Sequence, residues 1–196
     1  MMLKRFSAAA ALSAGPMLAL MTAPAFAHVD PLAHGAMASG ILHPFSGADH
    51  MLAMIAVGLW ASQLGGKARF AVPASFVAVM AAGFALALMG APLPFVEPAI
   101  LASVVGLGLL VALAVKLPTA LGMVIVGAFA LFHGYAHGAE LGGADALSFG
   151  VGFVAATAIL HAIGLGLGAW ASAKSAVAGR LLGALTAIGG AALMFG

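Results

Sequence analysis

The chain reads as an all-α membrane protein, a bundle of six transmembrane helices behind a cleaved signal peptide. Three observations predict this. The first is composition: 64% of the residues are hydrophobic and 6% are charged, against about 25% charged in a soluble domain. A chain so poor in charge cannot cover itself with a wetted surface, so lipid must solvate most of it. The second is a series of apolar segments, each near the ~20 residues needed to cross the hydrocarbon core. The third is the sorting of basic residues to alternate connections, the signature of a polytopic membrane protein.

The elements follow in order. Lys4 and Arg5 open the chain, an apolar stretch runs from Ala8 to about Met21, and Ala25-Phe26-Ala27 supplies a small-residue cleavage site. This pattern marks 1–27 as a secretory leader, with 28–196 as the transmembrane domain and His28 as the mature N-terminus. The stretch is short for a membrane helix and carries Gly15 and Pro16, which argues against a further span. The expected spans are 46–64, 70–89, 95–115, 118–137, 146–170 and 178–195. Pro92, Pro94 and Pro98 mark one connection, and Pro118 suits the first turn of the fourth span. The 27 glycines fit helices that pack closely where lipid offers no hydrophobic drive for association.

Past the leader, Lys67 and Arg69 lie between spans one and two, Lys116 between three and four, and Lys174 and Arg180 around the connection of five and six. All fall on one side, which the positive-inside rule makes cytoplasmic. Asp30, Glu97, Glu140 and Asp145 fall on the other. Both termini are then periplasmic and the membrane is the bacterial inner membrane, as a cleaved leader and an even number of spans require. There is no cysteine, which excludes disulfides, thiolate nucleophiles and thiolate metal sites. No basic stripe exists to neutralise phosphates, so nucleic acid is not an expected partner.

Ionisable residues within membrane segments are costly and usually functional, and here they gather in two runs. The first is His43-Pro44-Phe45-Ser46-Gly47-Ala48-Asp49-His50. Pro44 is expected to start the first helix or to break a longer one. Asp49 and His50 could bind a cation together. Neighbours on a helix point about 100° apart, so one of the two could instead orient the other. The second run is Phe132-His133-Gly134-Tyr135-Ala136-His137-Gly138-Ala139-Glu140. The four-residue spacing of His133 and His137 puts both imidazoles on one helix face, about 6 Å apart at Cβ, as two ligands of one metal require. Glu140 shares that face if the helix continues. Gly134 and Gly138 would let another helix approach, the first span being the expected one. The first and fourth spans run in opposite directions, so their motifs converge on one side of the membrane.

His161 lies deeper, where it serves either as an inner relay or as a simple hydrogen-bond donor to a neighbouring carbonyl. For the two runs the competing reading is polar glue between helices. Met51 and Met54 read as packing, and Glu97 reads as an interfacial loop residue. After cleavage, the free amine and ring of His28, with Asp30 and His34 nearby, form a possible capture site, weighed against an inert tail.

At these two runs the sequence resembles the HupE/UreJ family, membrane proteins linked to nickel and cobalt supply for hydrogenase and urease. The family pattern H-P-x-x-G-x-D-H appears as His43, Pro44, Gly47, Asp49 and His50. The pattern F-H-G-x-x-H-G-x-E appears as Phe132, His133, Gly134, His137, Gly138 and Glu140. The resemblance implies a Ni²⁺ or Co²⁺ permease that uses these residues to handle the metal, with hydrogenase or urease maturation proteins as partners. A separate nickel/cobalt permease family carries H-x-x-x-x-D-H, but His43 and Asp49 are one residue further apart than that motif allows.

The ligands alone indicate a borderline divalent metal, since imidazole suits Zn, Cu, Ni and Co. The choice of nickel or cobalt comes from the resemblance. The metal is expected as cargo, with no prosthetic group and no catalytic residues. Three functions compete: an ATP-independent importer, an intramembrane metal-dependent hydrolase built on Ser46, Asp49 and the histidines, and a periplasmic-facing storage or hand-off protein.

Overall fold

The structure is a computed structural model, and it describes residues 35–141 and 144–196. The leader 1–27 and the segment holding His28, Asp30 and His34 lie outside the described residues. Within them the chain is entirely helical: α1 (Ala36–Ser46), α2 (Ala48–Leu64), α3 (Ala68–Leu88), α4 (Val96–Ala112), α5 (Thr119–Ala139), α6 (Ala146–Lys174) and α7 (Ala176–Phe195).

The last five helices follow the apolar segments closely. The first region differs: the single helix expected over 46–64 is preceded by α1, which carries His43. Pro44 neither starts nor breaks a helix. It sits in the last turn of α1, and the chain leaves helical geometry at Gly47, whose φ of −104° and ψ of 124° are extended. Having no N–H, Pro44 leaves the Gly40 carbonyl without its usual bond one turn back, a loss confined to the end of the helix. Gly47 also leaves space for its neighbours. A Cβ there would lie 2.7 Å from Asp49 Oδ1 and 3.1 Å from His50 Nδ1. Pro118, expected in the first turn of the fourth span, is instead the residue that caps α5.

Other helix starts carry side-chain caps. Asp145 accepts from the Ser148 amide at 3.1 Å and from the Ser148 hydroxyl. These bonds stabilise its charged form and hold its carboxyl below the usual range. Ser175 accepts from the Ala178 amide at 3.1 Å to begin α7.

Four helices, α3, α5, α6 and α7, are long and apolar enough to cross a membrane. Their outward faces expose Val124, Val151, Ile159, Leu181 and Ile188, side chains suited to lipid. The apolar α4 is shorter. α5 packs along α3, α7 along α4, and α1 and α2 along α6. Around their centre lie Met54, Trp60, Phe76, Leu107 and Phe153, all buried.

One end of the bundle gathers the basic connections. The last carbonyls of α4 have no partner within the helix, and side chains from elsewhere bond them. Gln63 Nε2 donates to Val111 at 3.1 Å and Arg180 Nε to Ala112 at 2.8 Å, while Trp60 Nε1 donates to Val115 in the connection that follows, at 2.9 Å. Lys116 Nζ donates in turn to the carbonyl of Gln63 at the end of α2. A cation at a helix C-terminus also complements the helix dipole. The motif residues occupy the opposite end.

Candidate metal centre

Each helix end that meets at this pole brings polar atoms. α1 brings His43, α2 brings Asp49 and His50, and α5 brings His133 and His137, with Glu140 capping it. The four-residue spacing holds as expected: His133 and His137 project from one face of α5 and are both buried.

The outermost group is His43, His137 and Glu140. Each offers one ligand atom, and these atoms all lie within 4.8 Å of one another. His43 Nε2 is 3.5 Å from Glu140 Oε2, and the His43 and His137 rings meet edge to face at 4.5 Å. The helix ends at Ala139, yet Glu140 still faces this group, because its backbone remains near α geometry at φ −90° and ψ −1°.

Behind that group stand His50 and His133. The His50 ring lies 4.4 Å from that of His137 and 4.9 Å from that of His133. Asp49 Oδ1 accepts both the backbone N–H of His50, at 2.7 Å, and its ring Nδ1–H, at 2.8 Å. A carboxylate only accepts, so Nδ1 carries the hydrogen, and in the neutral ring Nε2 keeps its lone pair. Of the two adjacent residues, Asp49 is thus the orienting one and His50 the one with a bare donor atom. That Nε2 is buried without a hydrogen-bond partner, as are Nδ1 of His133 and both ring nitrogens of His137.

His161 on α6 is buried, and neither of its ring nitrogens has a hydrogen-bond partner, so it does not donate to a neighbouring carbonyl. It is not part of the outer group. The ring of Phe76 on α3 neighbours both histidines, 5.7 Å from His133 and 5.0 Å from His161. A cavity of about 420 Å³ opens over the cluster and is lined by His43, Asp49, His50, Glu97, His137 and Glu140. Glu97, read from sequence as a loop residue, is in the first turn of α4 and belongs to this wall. Ser103 of α4 was not singled out from sequence, yet its hydroxyl lies 2.9 Å from His133 Nε2. A serine in an apolar helix commonly bonds its own backbone, so the sequence gives no signal separating this one from the rest.

One expectation is corrected. Gly134 and Gly138 do not admit the first span. A Cβ on Gly134 would run into the Met80 carbonyl, and one on Gly138 would meet the Phe84 carbonyl and the Ala87 methyl. The helix they admit is α3.

Imidazoles with bare nitrogens beside carboxylates form a donor set for a divalent transition ion. The family model described as HupE / UreJ protein matches residues 16–193, which include both motif runs. Protein HupE of Rhizobium leguminosarum bv. viciae is 50% identical over 174 residues, covering 88% of this chain and 91% of the relative. No solved structure matches the chain. The motifs, the length of the match and this identity agree: the chain belongs to the HupE/UreJ family.

Proposed function

We propose that this protein is a secondary, ATP-independent importer of Ni²⁺ or Co²⁺ in the bacterial inner membrane, with its loading site in the periplasmic half. In this reading 1–27 is a removed leader, α2 to α7 are six spans, and both termini are periplasmic. At 17 residues each, α2 and α4 are at the short end of what crosses a bilayer. The metal sites are His43, His137 and Glu140, with His50 and His133 behind them, Asp49 orienting His50, and His161 as an inner relay. His28, Asp30 and His34 would capture metal ahead of loading. Hydrogenase or urease maturation proteins would receive it.

The observation that carries this reading is the arrangement of donors in depth. The ligand atoms of His43, His137 and Glu140 lie within 4.8 Å of one another beside an open cavity, and further imidazoles succeed them inward. A divalent ion must shed water before entering a low-dielectric path. A series of bare imidazole nitrogens replaces that water stepwise. The driving force is sufficient without ATP. An interior negative by 100 mV favours entry by about 2.3 kcal/mol per charge, hence about 4.6 kcal/mol for a divalent ion. Nickel and cobalt are chosen over zinc by the family alone.

The test is flux of radioactive nickel into oriented proteoliposomes. An inside-negative potential is expected to accelerate entry from the cavity face, and an ionophore that collapses it should slow entry. Replacing His161 should reduce flux more than it weakens loading at the outer group. Absence of flux through folded protein that still binds nickel would favour the storage or hand-off function instead.

A further inference from the structure

We propose that Ser103 is the positioning residue that holds His133 as its Nε2–H tautomer, so that the ring presents the Nδ1 lone pair to the histidine cluster. The inference deepens the metal reading above and rests on it for its consequence, but the tautomer itself follows from hydrogen-bond geometry. Ser103 is fully buried on α4. Its Oγ lies 2.6 Å from the carbonyl oxygen of Ile100 and 2.9 Å from His133 Nε2. A hydroxyl has one hydrogen and two lone pairs, and a carbonyl oxygen can only accept. At 2.6 Å the two oxygens must have that hydrogen between them, since otherwise lone pair would face lone pair. Ser103 Oγ then has only lone pairs to offer His133, so Nε2 carries a hydrogen and donates it.

A neutral imidazole has a single N–H, which leaves Nδ1 of His133 bare. That atom is buried without a hydrogen-bond partner, in a ring 4.9 Å from that of His50. His50 is fixed in the opposite sense, with Nδ1–H held by Asp49 and Nε2 bare. The two rings stand nearly perpendicular, at 87°. Each is pinned by a partner through one nitrogen and leaves the other free. An unpartnered buried acceptor is destabilising to the fold, and a cation taken at that atom removes the penalty. Ser103 thus does for His133 what Asp49 does for His50, with a neutral partner instead of a charged one. A metal taken at this tier would find Nδ1 of His133 and Nε2 of His50 as the bare nitrogens of the two rings.

The experiment uses the full chain in lipid nanodiscs with ¹⁵N-labelled histidine, free of metal. Ring-nitrogen spectra report the tautomer, and the His133 signals are those missing from His133→Asn. The wild type is expected to show one His133 tautomer, protonated at Nε2. Ser103→Ala is expected to give a mixed population, and Ser103→Thr, which restores the hydroxyl, to return the single form. If the alanine variant does not fold, Ser103→Cys, of similar shape and a weaker acceptor, takes its place with the same expected mixture. On these samples nickel affinity, measured with Ni²⁺ alone, should fall about 10–100-fold without the hydroxyl and recover with threonine. A wild-type His133 protonated at Nδ1 overturns the proposal, as does an unchanged single tautomer in the variant lacking the hydroxyl. A lost tautomer preference with nickel affinity unaltered in both Ser103→Ala and His133→Asn supports the positioning role. That result overturns the metal reading at His133 instead.

Discussion

His137 is the side chain shared by both tiers of the cluster. Its ring touches those of His43 and His50, and it rests on Phe153 at 4.1 Å. Its replacement by Asn should therefore reduce nickel affinity more than loss of His43 or His50, by over about 100-fold, since it removes a donor from both tiers at once, whereas loss of an orienting bond costs about 10–100-fold. Titration of Ni²⁺ into nanodisc-embedded variants measures this. Equal losses for all three histidines would mean that the tiers are one site. Asp49 gives a sharper contrast. Asp49→Asn keeps an oxygen that accepts from His50 Nδ1–H and discards the charge, whereas Asp49→Leu discards both. About tenfold and about 100-fold losses of nickel affinity are expected in that order, the two ends of the range for groups that orient metal ligands. Equal damage from both would identify Asp49 as a ligand itself. From sequence, the types and spacing of these residues were plain. Which of the adjacent pair keeps a bare donor atom and which orients the other was not, because that depends on where an oxygen points, and the pairing of Ser103 with His133 joins residues far apart in the chain.

At the scale of elements, the site depends on how closely α3 lies against α5, because α5 carries His133 and His137 while α3 carries Phe76, which neighbours both His133 and His161. Gly134 sets that distance, having the Met80 carbonyl directly over it. Gly134→Ala is expected to destabilise the protein by about 1–3 kcal/mol, the usual cost of overpacking where backbone must move. Gly166 on α6 is the control: a Cβ there meets nothing within 4 Å. Gly166→Ala should be neutral or stabilising by up to about 1 kcal/mol, as alanine is the better helix former. Thermal unfolding midpoints in one detergent compare the two, and a Gly134→Ala protein as stable as wild type would show that α3 can retreat freely. The helices themselves were legible as apolar runs bounded by proline, glycine and charge. The separate α1 was not, since 36–46 is too short and too mixed to stand out as a span, and its helix is held by packing on α6.

For the whole molecule, the distribution of charge makes a topological prediction. Arg180 reaches the end of α4, and Lys116 reaches the end of α2. These basic connections therefore share one pole of the bundle, and the histidine cluster takes the other. Reporter fusions after Lys67, Lys116 and Lys174 are expected to register cytoplasm, and a fusion at the C-terminus periplasm. A cytoplasmic C-terminus would eliminate the six-span arrangement. The N-terminal segment has its own test. Without His28, Asp30 and His34, half-maximal nickel uptake should require a higher external concentration, with the maximal rate unchanged, because a capture site alters supply and not translocation. An unchanged concentration dependence would make this segment an inert tail.

Hydropathy and charge are carried by the residues themselves, so a helical chain suited to lipid, the limits of most of its helices and the two histidine-bearing runs could be read directly from the sequence. The same is true of His133 and His137 sharing a face, because helical periodicity enforces it locally. Partnership between distant segments is a different matter. Gly134 and Gly138 announce a close approach but not by which helix, and the carbonyls of Met80 and Phe84 supply the answer. Only the packed bundle could put His43 beside Glu140, Phe76 against both His133 and His161, and the Ser103 hydroxyl against His133. Contacts of a few ångströms between separate helices depend on the tilt and depth of each, and those are fixed jointly by all the surfaces in contact.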